Sequence, residues 1–369
     1  MKVVFIIPTL TAGGAERVFS LMANFWSERE HDITILSLDS PDHEPFFTLH
    51  KNVKYQPLNL LEERKGYLGK VKRTLSQIIT TRRRVNKLCP DVVIAQLDIA
   101  IFLAMTSTIF SKNKAIVYEG NNPYLNTTNK YLQKFNDFLY RFTDHLVLQT
   151  KQIAQTFPVH LRKKISIIYN PVTPPGVQLN HEDYIENFQR KRIVSVGRLE
   201  FQKGYDVLIR AFHLFLEDNP SWSLTILGEG NERSKLEELC KQLGITDKVA
   251  LPGNVRNPHD TLQEASIFVL SSRFEGLPNV LLEAMSIGLP VVATRCKFGP
   301  EEIVEQRKNG ILVPVDDEHA INTALKELAN DAILGEQLGN QAKDILKVCG
   351  SEEVMAQWEY TIRKLVKSE

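Results

Sequence analysis

Short apolar runs recur along the chain, separated by longer stretches whose apolar positions repeat with helical period. Residues 3–8 predict a first strand. It leads through Thr9-Leu10-Thr11-Ala12-Gly13-Gly14-Ala15-Glu16-Arg17 into an amphipathic helix reaching about Trp26. Further strands are predicted at 33–38, 92–95, 115–118, 145–148 and 165–168, with helical patterns between most of them. Asn170-Pro171-Val172-Thr173-Pro174-Pro175-Gly176 then interrupts the pattern with the proline and glycine density of a linker. A second alternation follows, with strands at 192–197, 223–228, 249–253, 267–270 and 290–294. Such alternation predicts α/β architecture with two doubly wound parallel sheets. Ligands bind such sheets at the carboxyl ends of the strands, so two similar domains would face a cleft between those ends.

The length of 369 residues fits two domains of about 180. A hydrophobic content of 43% with 24% charged residues is ordinary for a soluble globular chain. The four cysteines, Cys89, Cys240, Cys296 and Cys349, form no C-x-x-C pair. That argues against a zinc site or disulfide framework and fits a reducing, cytoplasmic setting. The N-terminal apolar run is too short for a signal peptide, and no stretch of about 18 uncharged apolar residues would cross a membrane. Net charge is +1, but residues 1–180 carry 23 Lys+Arg against 14 Asp+Glu, and the remainder 22 against 30. A basic half and an acidic half suggest different partners, the basic one an anionic surface.

The densest candidate chemistry lies in Ser271-Ser272-Arg273-Phe274-Glu275-Gly276-Leu277-Pro278-Asn279-Val280-Leu281-Leu282-Glu283-Ala284-Met285. It follows the 267–270 strand, and Pro278 suits the first turn of a helix. Glu275 falls on the loop and Glu283 inside the helix, about 8 Å along its axis from Pro278. Carboxylates suit sugar hydroxyls and a helix N-terminus suits phosphate, so a nucleotide-sugar would satisfy both. Two solvated helix glutamates would produce the same spacing. Gly13-Gly14, at a strand-to-helix turn, would let backbone N–H groups approach an anion, or would simply make a tight turn. It lacks both the third glycine of the dinucleotide fingerprint and the Lys-Ser/Thr of a P-loop. Arg198 and Lys203, after the 192–197 strand, could neutralise a diphosphate leaving group. No D-x-D or H-E-x-x-H spacing exists, so no metal is expected, and these two cations would take that electrostatic role. Residues 61–90 combine Arg64, Lys65, Lys70, Lys72, Arg73, Arg82, Arg83, Arg84 and Lys87 with apolar positions at helical spacing. Such a helix could lie on anionic lipid or pack its apolar side on a sheet.

Taken in order, these segments resemble glycosyltransferase family 4, with its GT-B fold of two Rossmann-like domains. The resemblance rests on Gly13-Gly14, Gly197-Arg198 through Lys203-Gly204, and Glu275 through Glu283. It continues into Ala284-Met285-Ser286-Ile287-Gly288-Leu289-Pro290-Val291-Val292-Ala293 and Gly310-Ile311-Leu312-Val313. It implies an acceptor-binding domain at 1–172, with a C-terminal helix at about 351–366 packing back on it, and a donor-binding domain at 173–350. It also implies retaining transfer from a UDP-sugar without metal or other cofactor. Carried over by position, Arg198 and Lys203 would hold the donor diphosphate, Glu283 the ribose and Glu275 the transferred sugar. Gly276 and Leu277 would offer backbone N–H groups, Gly253, Asn254 and Val255 would frame the base, and Gly13 and Gly14 would lie near the donor phosphates.

One departure stands out. Many relatives carry a His or Arg after the fourth N-terminal strand, where this chain has Tyr118-Glu119-Gly120-Asn121-Asn122-Pro123. Gly120 occupies that place, so acceptor contacts would fall to Glu119, Asn121 or backbone, with Arg82, Arg83 and Arg84 as further candidates. The segment Phe298-Gly299-Pro300-Glu301-Glu302-Ile303 resembles bacterial members that build surface polysaccharides. The implied acceptor is a glycan or polyprenyl-diphosphate-linked glycan at the inner face of the cell membrane, and no nucleic acid. A UDP-sugar epimerase of the same fold and a non-catalytic nucleotide-sugar-binding protein are the alternatives.

Overall fold

The computed structural model describes residues 1–61, 66–109, 111–120, 135, 138–173, 178–255 and 257–367. Within the segments read from the sequence, residues 62–65, Asn121, Asn122, Pro123, and Pro174-Pro175-Gly176 lie outside the described residues. The chain divides into two compact units, residues 1–171 together with the chain from Val354 on, and residues 172–353.

In the first unit, β1 (Lys2–Ile7), β2 (Asp32–Ser37), β3 (Lys54–Pro57), β4 (Val92–Ala95), β5 (Lys114–Glu119), β6 (His145–Leu148) and β7 (Ile165–Ile167) form one parallel sheet. Their spatial order is β3-β2-β1-β4-β5-β6-β7. β1 pairs β2 from Lys2↔Asp32 and β4 from Val3↔Val92. Every residue of β4 is buried, as expected for a parallel strand covered by helices on both faces. The core gathers around large aromatics. Trp358, on the C-terminal helix Ser351–Lys367, meets Trp26 edge-on at 6.5 Å and Tyr118 at 5.1 Å. Phe5 stacks on Trp26 at 5.8 Å. Each such ring buries roughly 150–250 Å², which makes this cluster the main apolar anchor of the unit.

The second unit repeats the design with β8 (Arg192–Val196), β9 (Ser223–Leu227), β10 (Val249–Gly253), β11 (Ile267–Leu270), β12 (Val291–Thr294) and β13 (Ile311–Val313). The order is β10-β9-β8-β11-β12-β13, again parallel. Phe212, Phe215 and Trp222 fill the core beside Ile193, Leu224 and Ile226. The sequence pattern locates all the central strands of both sheets. It does not predict β3, an edge strand whose Lys-Tyr-Gln-Pro sequence has little apolar content, or β13, only three residues long. An edge strand tolerates proline and polar residues because one side of its ladder is open.

In each sheet the strand order reverses once, between β1 and β4 in the first and between β8 and β11 in the second. The loops leaving the two strands at a reversal turn to opposite faces and leave a crevice at their carboxyl ends. These two crevices are where the chemistry of each unit collects.

The basic helix spans Tyr67–Leu88. It turns Gln77, Thr81 and Val85 inward, while Leu68 (75% exposed), Val71 (40%), Leu75 (52%) and Ile79 (47%) face outward. Its apolar positions are therefore divided, with Val85 packed inward and these four exposed. Among the described residues no helix is long and apolar enough to cross a membrane.

Candidate active site

At the β8/β11 reversal, Lys203 and Glu275 meet. The Lys203 ammonium donates to Glu275 Oε1 at 2.6 Å, with the side chains 14% and 8% exposed. Ser272 Oγ donates to the same oxygen at 2.6 Å. Both bonds fall on Oε1, and among the described residues Oε2 of Glu275 makes no hydrogen bond. An ammonium has three donors, so Lys203 can hold Glu275 and still donate to a second anion.

The two loops carrying this pair are stitched together. Arg273 makes a two-pronged contact with Asp206 (2.9 and 2.8 Å), donates to Asp316 at 2.7 Å and to the Phe201 carbonyl at 2.8 Å, and stacks 4.1 Å from the Phe201 ring centroid. Burial works against the Asp206 charge, yet the Arg273 bonds and charge hold its carboxyl below the usual range. Gln202 Nε2 donates to the Phe274 carbonyl at 2.9 Å, and Ser271 Oγ donates to the Lys203 carbonyl at 2.8 Å. Gly204 takes φ +62°, and a Cβ there would come within 2.2 Å of the Ser271 carbonyl oxygen. Only glycine lets the backbones approach this closely. Fork-shaped Arg273 is thus spent on positioning the loops. Sequence reasoning passed over it because it stands beside the more suggestive Glu275; its signal was an arginine two residues before a loop glutamate, with Asp206 at a helix start.

Beyond Glu275, Gly276 and Leu277 are buried, and among the described residues their N–H groups donate to no acceptor. The helix Asn279–Ile287 starts after Pro278, which takes the capping position in extended conformation and not the first helical turn. Glu283 lies inside this helix, 4% exposed. Gly299, at φ +89°, packs on the Gly276 carbonyl, where a Cβ would sit 1.9 Å from the oxygen. This contact fixes the loop that presents the two N–H groups. Cys296 lies close by; burial, reinforced by the Glu275 charge, pushes its thiol up to about 12, so it stays uncharged.

Arg198 is 61% exposed and paired with Glu200 at 3.0 Å. The Lys203 stem crosses Gly197, next to Arg198, so closely that a Cβ there would lie 2.9 Å from Lys203 Cε. Gly253 ends β10, two strands from β8, with Asn254 exposed and Val255 half-buried after it. Arg198, Lys203, Glu275, Gly276, Leu277 and Glu283 therefore occupy the loops and helix that follow β8 and β11.

In the first unit, Gly13 and Gly14 end the loop after β1 and open the helix Gly14–Glu28. The Glu16 carboxylate lies over Gly13, where a Cβ would come within 2.0 Å of Oε2. The loop is anchored by buried Asp39, which accepts from Leu10 N at 3.1 Å and from Tyr55 OH at 3.0 Å. Glu119, at the end of β5, is buried and accepts from Tyr140 OH at 2.6 Å. Burial pushes its carboxyl up to about 8; the Tyr140 bond pulls the other way and Asp98 adds to the rise. Arg82, Arg83 and Arg84 lie late in the basic helix and form no ion pair among the described residues. Among those residues no three His, Cys, Asp or Glu side chains gather as a metal-ligand set.

Glu119 sets a pH dependence of stability. Its folded carboxyl binds its proton up to about 8, whereas an unfolded one releases it near 4.5. Its favourable contribution is therefore complete below about pH 4.5 and is lost as pH rises toward 8. Glu119→Gln keeps an acceptor for Tyr140 and removes the titration. Thermal melts should show the variant gaining on the wild type between pH 5 and 8, with the gap closing near pH 4.5. A gap that does not vary with pH would contradict the burial argument.

The pattern described as Glyco_transf_4, Glycosyltransferase Family 4, matches residues 12–174, and that described as Glycosyl transferases group 1 matches residues 178–345. An uncharacterized glycosyltransferase of Haemophilus influenzae is 28% identical over 358 residues, 96% of this chain and 98% of the relative. A Campylobacter jejuni α-1,4-N-acetyl-D-galactosaminyltransferase, named for an undecaprenyl-diphosphate-linked glycan, is 28% identical over 361 residues, 97% of each chain. Among solved structures, Anabaena HepE in complex with UDP and glucose superposes with TM-score 0.81 at 17% identity, covering 98% of this chain and 99% of that one. Sucrose-phosphate synthase of Thermosynechococcus elongatus gives 0.84 at 14% identity, covering 100% and 99%. At these identities the structural likeness establishes the fold, two Rossmann-like parallel-sheet units of the GT-B class. The two matched regions follow one another along the two units, and the chain belongs to the glycosyltransferases, with a family 4 region followed by a group 1 region.

Proposed function

We propose that this glycosyltransferase moves a hexose or N-acetylhexosamine from a UDP-sugar to a polyprenyl-diphosphate-linked glycan, with retention of configuration and without a metal ion. The observation that carries the donor assignment is the Lys203–Glu275 pair at the β8/β11 reversal, beside the N–H groups of Gly276 and Leu277. A nucleotide-sugar offers what these groups lack: phosphate oxygens for the ammonium and the N–H groups, and hydroxyls for the second oxygen of Glu275. Buried Glu283 suits the ribose hydroxyls, and the loop 253–255 the base. UDP and glucose in HepE support a uridine nucleotide as donor. The Campylobacter transferase, and a second from the same organism named for a diphospho-undecaprenol substrate, support a lipid-linked acceptor.

As the bond to the sugar breaks, negative charge builds on the departing diphosphate. Lys203 and the exposed fork of Arg198 would stabilise that charge where it develops, which lowers the barrier more than it tightens ground-state binding. Glu275 is oriented through Oε1 by Lys203 and Ser272, and its second oxygen is assigned to the hydroxyls of the transferred sugar. Retention would follow from attack on the face that the diphosphate leaves, with a phosphate oxygen taking the acceptor proton. In a screen of UDP-sugars against polyprenyl-diphosphate-linked saccharides, UDP release should depend on acceptor and persist in EDTA. Arg198→Ala should lower kcat about 100-fold, roughly 3 kcal/mol of transition-state stabilisation. Unchanged turnover in that variant would remove Arg198 from the mechanism.

The outward apolar row of the helix Tyr67–Leu88 supports peripheral attachment to the inner face of the membrane. Leu68, Val71, Leu75 and Ile79 lie on its exposed side, and Lys70, Lys72, Arg83 and Arg84 are also exposed. A helix with this combination lies in the headgroup layer with its apolar residues inserted and its cations among anionic lipids. Co-sedimentation with vesicles containing anionic phospholipid should fall at least several-fold for Leu68→Ser/Leu75→Ser and for Arg82→Ser/Arg83→Ser/Arg84→Ser. Equal binding by all three proteins would show that the helix is an ordinary surface element.

A further inference from the structure

The carboxyl edge of the first sheet carries a polar group unlike the charged pair of the second. β4, β5 and β6 are neighbours, and Gln96, Gly120 and Gln149 are the first residues after their ends. The two glutamines are 4% and 3% exposed. Their side chains fill the space over Gly120: a Cβ added there would lie 2.6 Å from Gln149 Nε2 and 2.9 Å from Gln96 Nε2. Two amide nitrogens thus converge on one small volume that any larger residue at position 120 would close. Gln96 Oε1 is buried and has no hydrogen-bond partner among the described residues. A glutamine pair kept only for packing would satisfy its own oxygens, since a buried, unpaired carbonyl is costly.

The backbone at this point is also constrained. Leu97, directly after Gln96, takes φ +75°, a conformation that side-chain-bearing residues rarely adopt and that persists where the surroundings enforce it. It lies at the β1/β4 reversal, where ligands of such sheets bind. Convergent amide donors and an unpaired amide acceptor suit an uncharged ligand that both donates and accepts. A sugar hydroxyl or an acetamido group does so.

We propose that Gln96 and Gln149, seated over Gly120, form a subsite that binds and positions an uncharged saccharide unit through paired amide hydrogen bonds. The saccharide belongs to one of the two substrates, and this assignment rests on the glycosyl-transfer reading above.

Gln96→Met keeps the shape of the side chain and removes its amide. The subsite predicts a melting temperature no lower than wild type, because an unpaired buried oxygen is lost. It also predicts a KM about tenfold higher for the substrate that supplies the saccharide, with kcat within about twofold. Varying the polyprenyl-diphosphate-linked saccharide at fixed UDP-sugar, and then the reverse, shows whether that substrate is acceptor or donor. Gly120→Ala, whose Cβ displaces both amides, should give the same KM signature. Saturation-transfer NMR with free N-acetylhexosamine mono- and disaccharides tests binding separately. A signal on the wild type that is lost in Gln96→Met supports the subsite even if no tested pair is turned over, a result that would defeat only the proposed substrates. Equal KM values and equal NMR signals in wild type and variant, or no saccharide signal on the wild type, overturn it.

Discussion

The ion pair between Lys203 and Glu275 is the contact on which the second unit's chemistry depends. Its partners come from loops that leave β8 and β11 in opposite directions, so it forms only where the strand order reverses. A pair this shielded has a desolvation cost, and removing either partner would strand the other. The surrounding bonds make the geometry reliable: Arg273 on Asp206 and Asp316, Gln202 on the Phe274 carbonyl, Ser272 on Glu275 itself. Few of these groups have capacity left for a ligand. Those that do are the remaining donors of Lys203, one oxygen of Glu275 and the N–H groups of Gly276 and Leu277. The loops are held by one set of residues so that another set can stay available.

The first unit solves a similar topological problem with different chemistry. Its sheet reverses between β1 and β4, but the loop after β1 is closed over by Glu16 and pinned by Asp39, and the ends of β4 to β6 carry amides and a protonated carboxyl. The charged pair in one unit and the amides in the other suit the diphosphate and the saccharide of the proposed reaction. The uneven charge of the two halves of the sequence does not translate directly into these sites. Much of the basic excess lies on the helix Tyr67–Leu88.

Most of the architecture is legible in the sequence because buried parallel strands write themselves as continuous apolar runs, as in Val92-Val93-Ile94-Ala95. β3 escapes because an edge strand needs no such run. Lys203 and Glu275 are each conspicuous in sequence, but their contact spans 72 positions and appears only once the fold is known. Gln96 and Gln149 gave no signal: a lone glutamine after a strand resembles any polar loop residue, and their relation to Gly120 is purely spatial. Periodicity in the helix Tyr67–Leu88 revealed apolar positions without saying which of them the protein covers: Val85 is buried, whereas Leu68, Val71, Leu75 and Ile79 are exposed.

The most direct test of the central pair is calorimetric binding of UDP and of UDP-sugar to the wild type, Lys203→Met and Glu275→Gln. Lys203 is assigned to the diphosphate and Glu275 to the sugar. Lys203→Met should therefore weaken both ligands, and Glu275→Gln should weaken UDP-sugar at least about tenfold while changing UDP little, in line with the loss of a charged hydrogen bond. Equal affinities for both ligands in all three proteins would contradict the account.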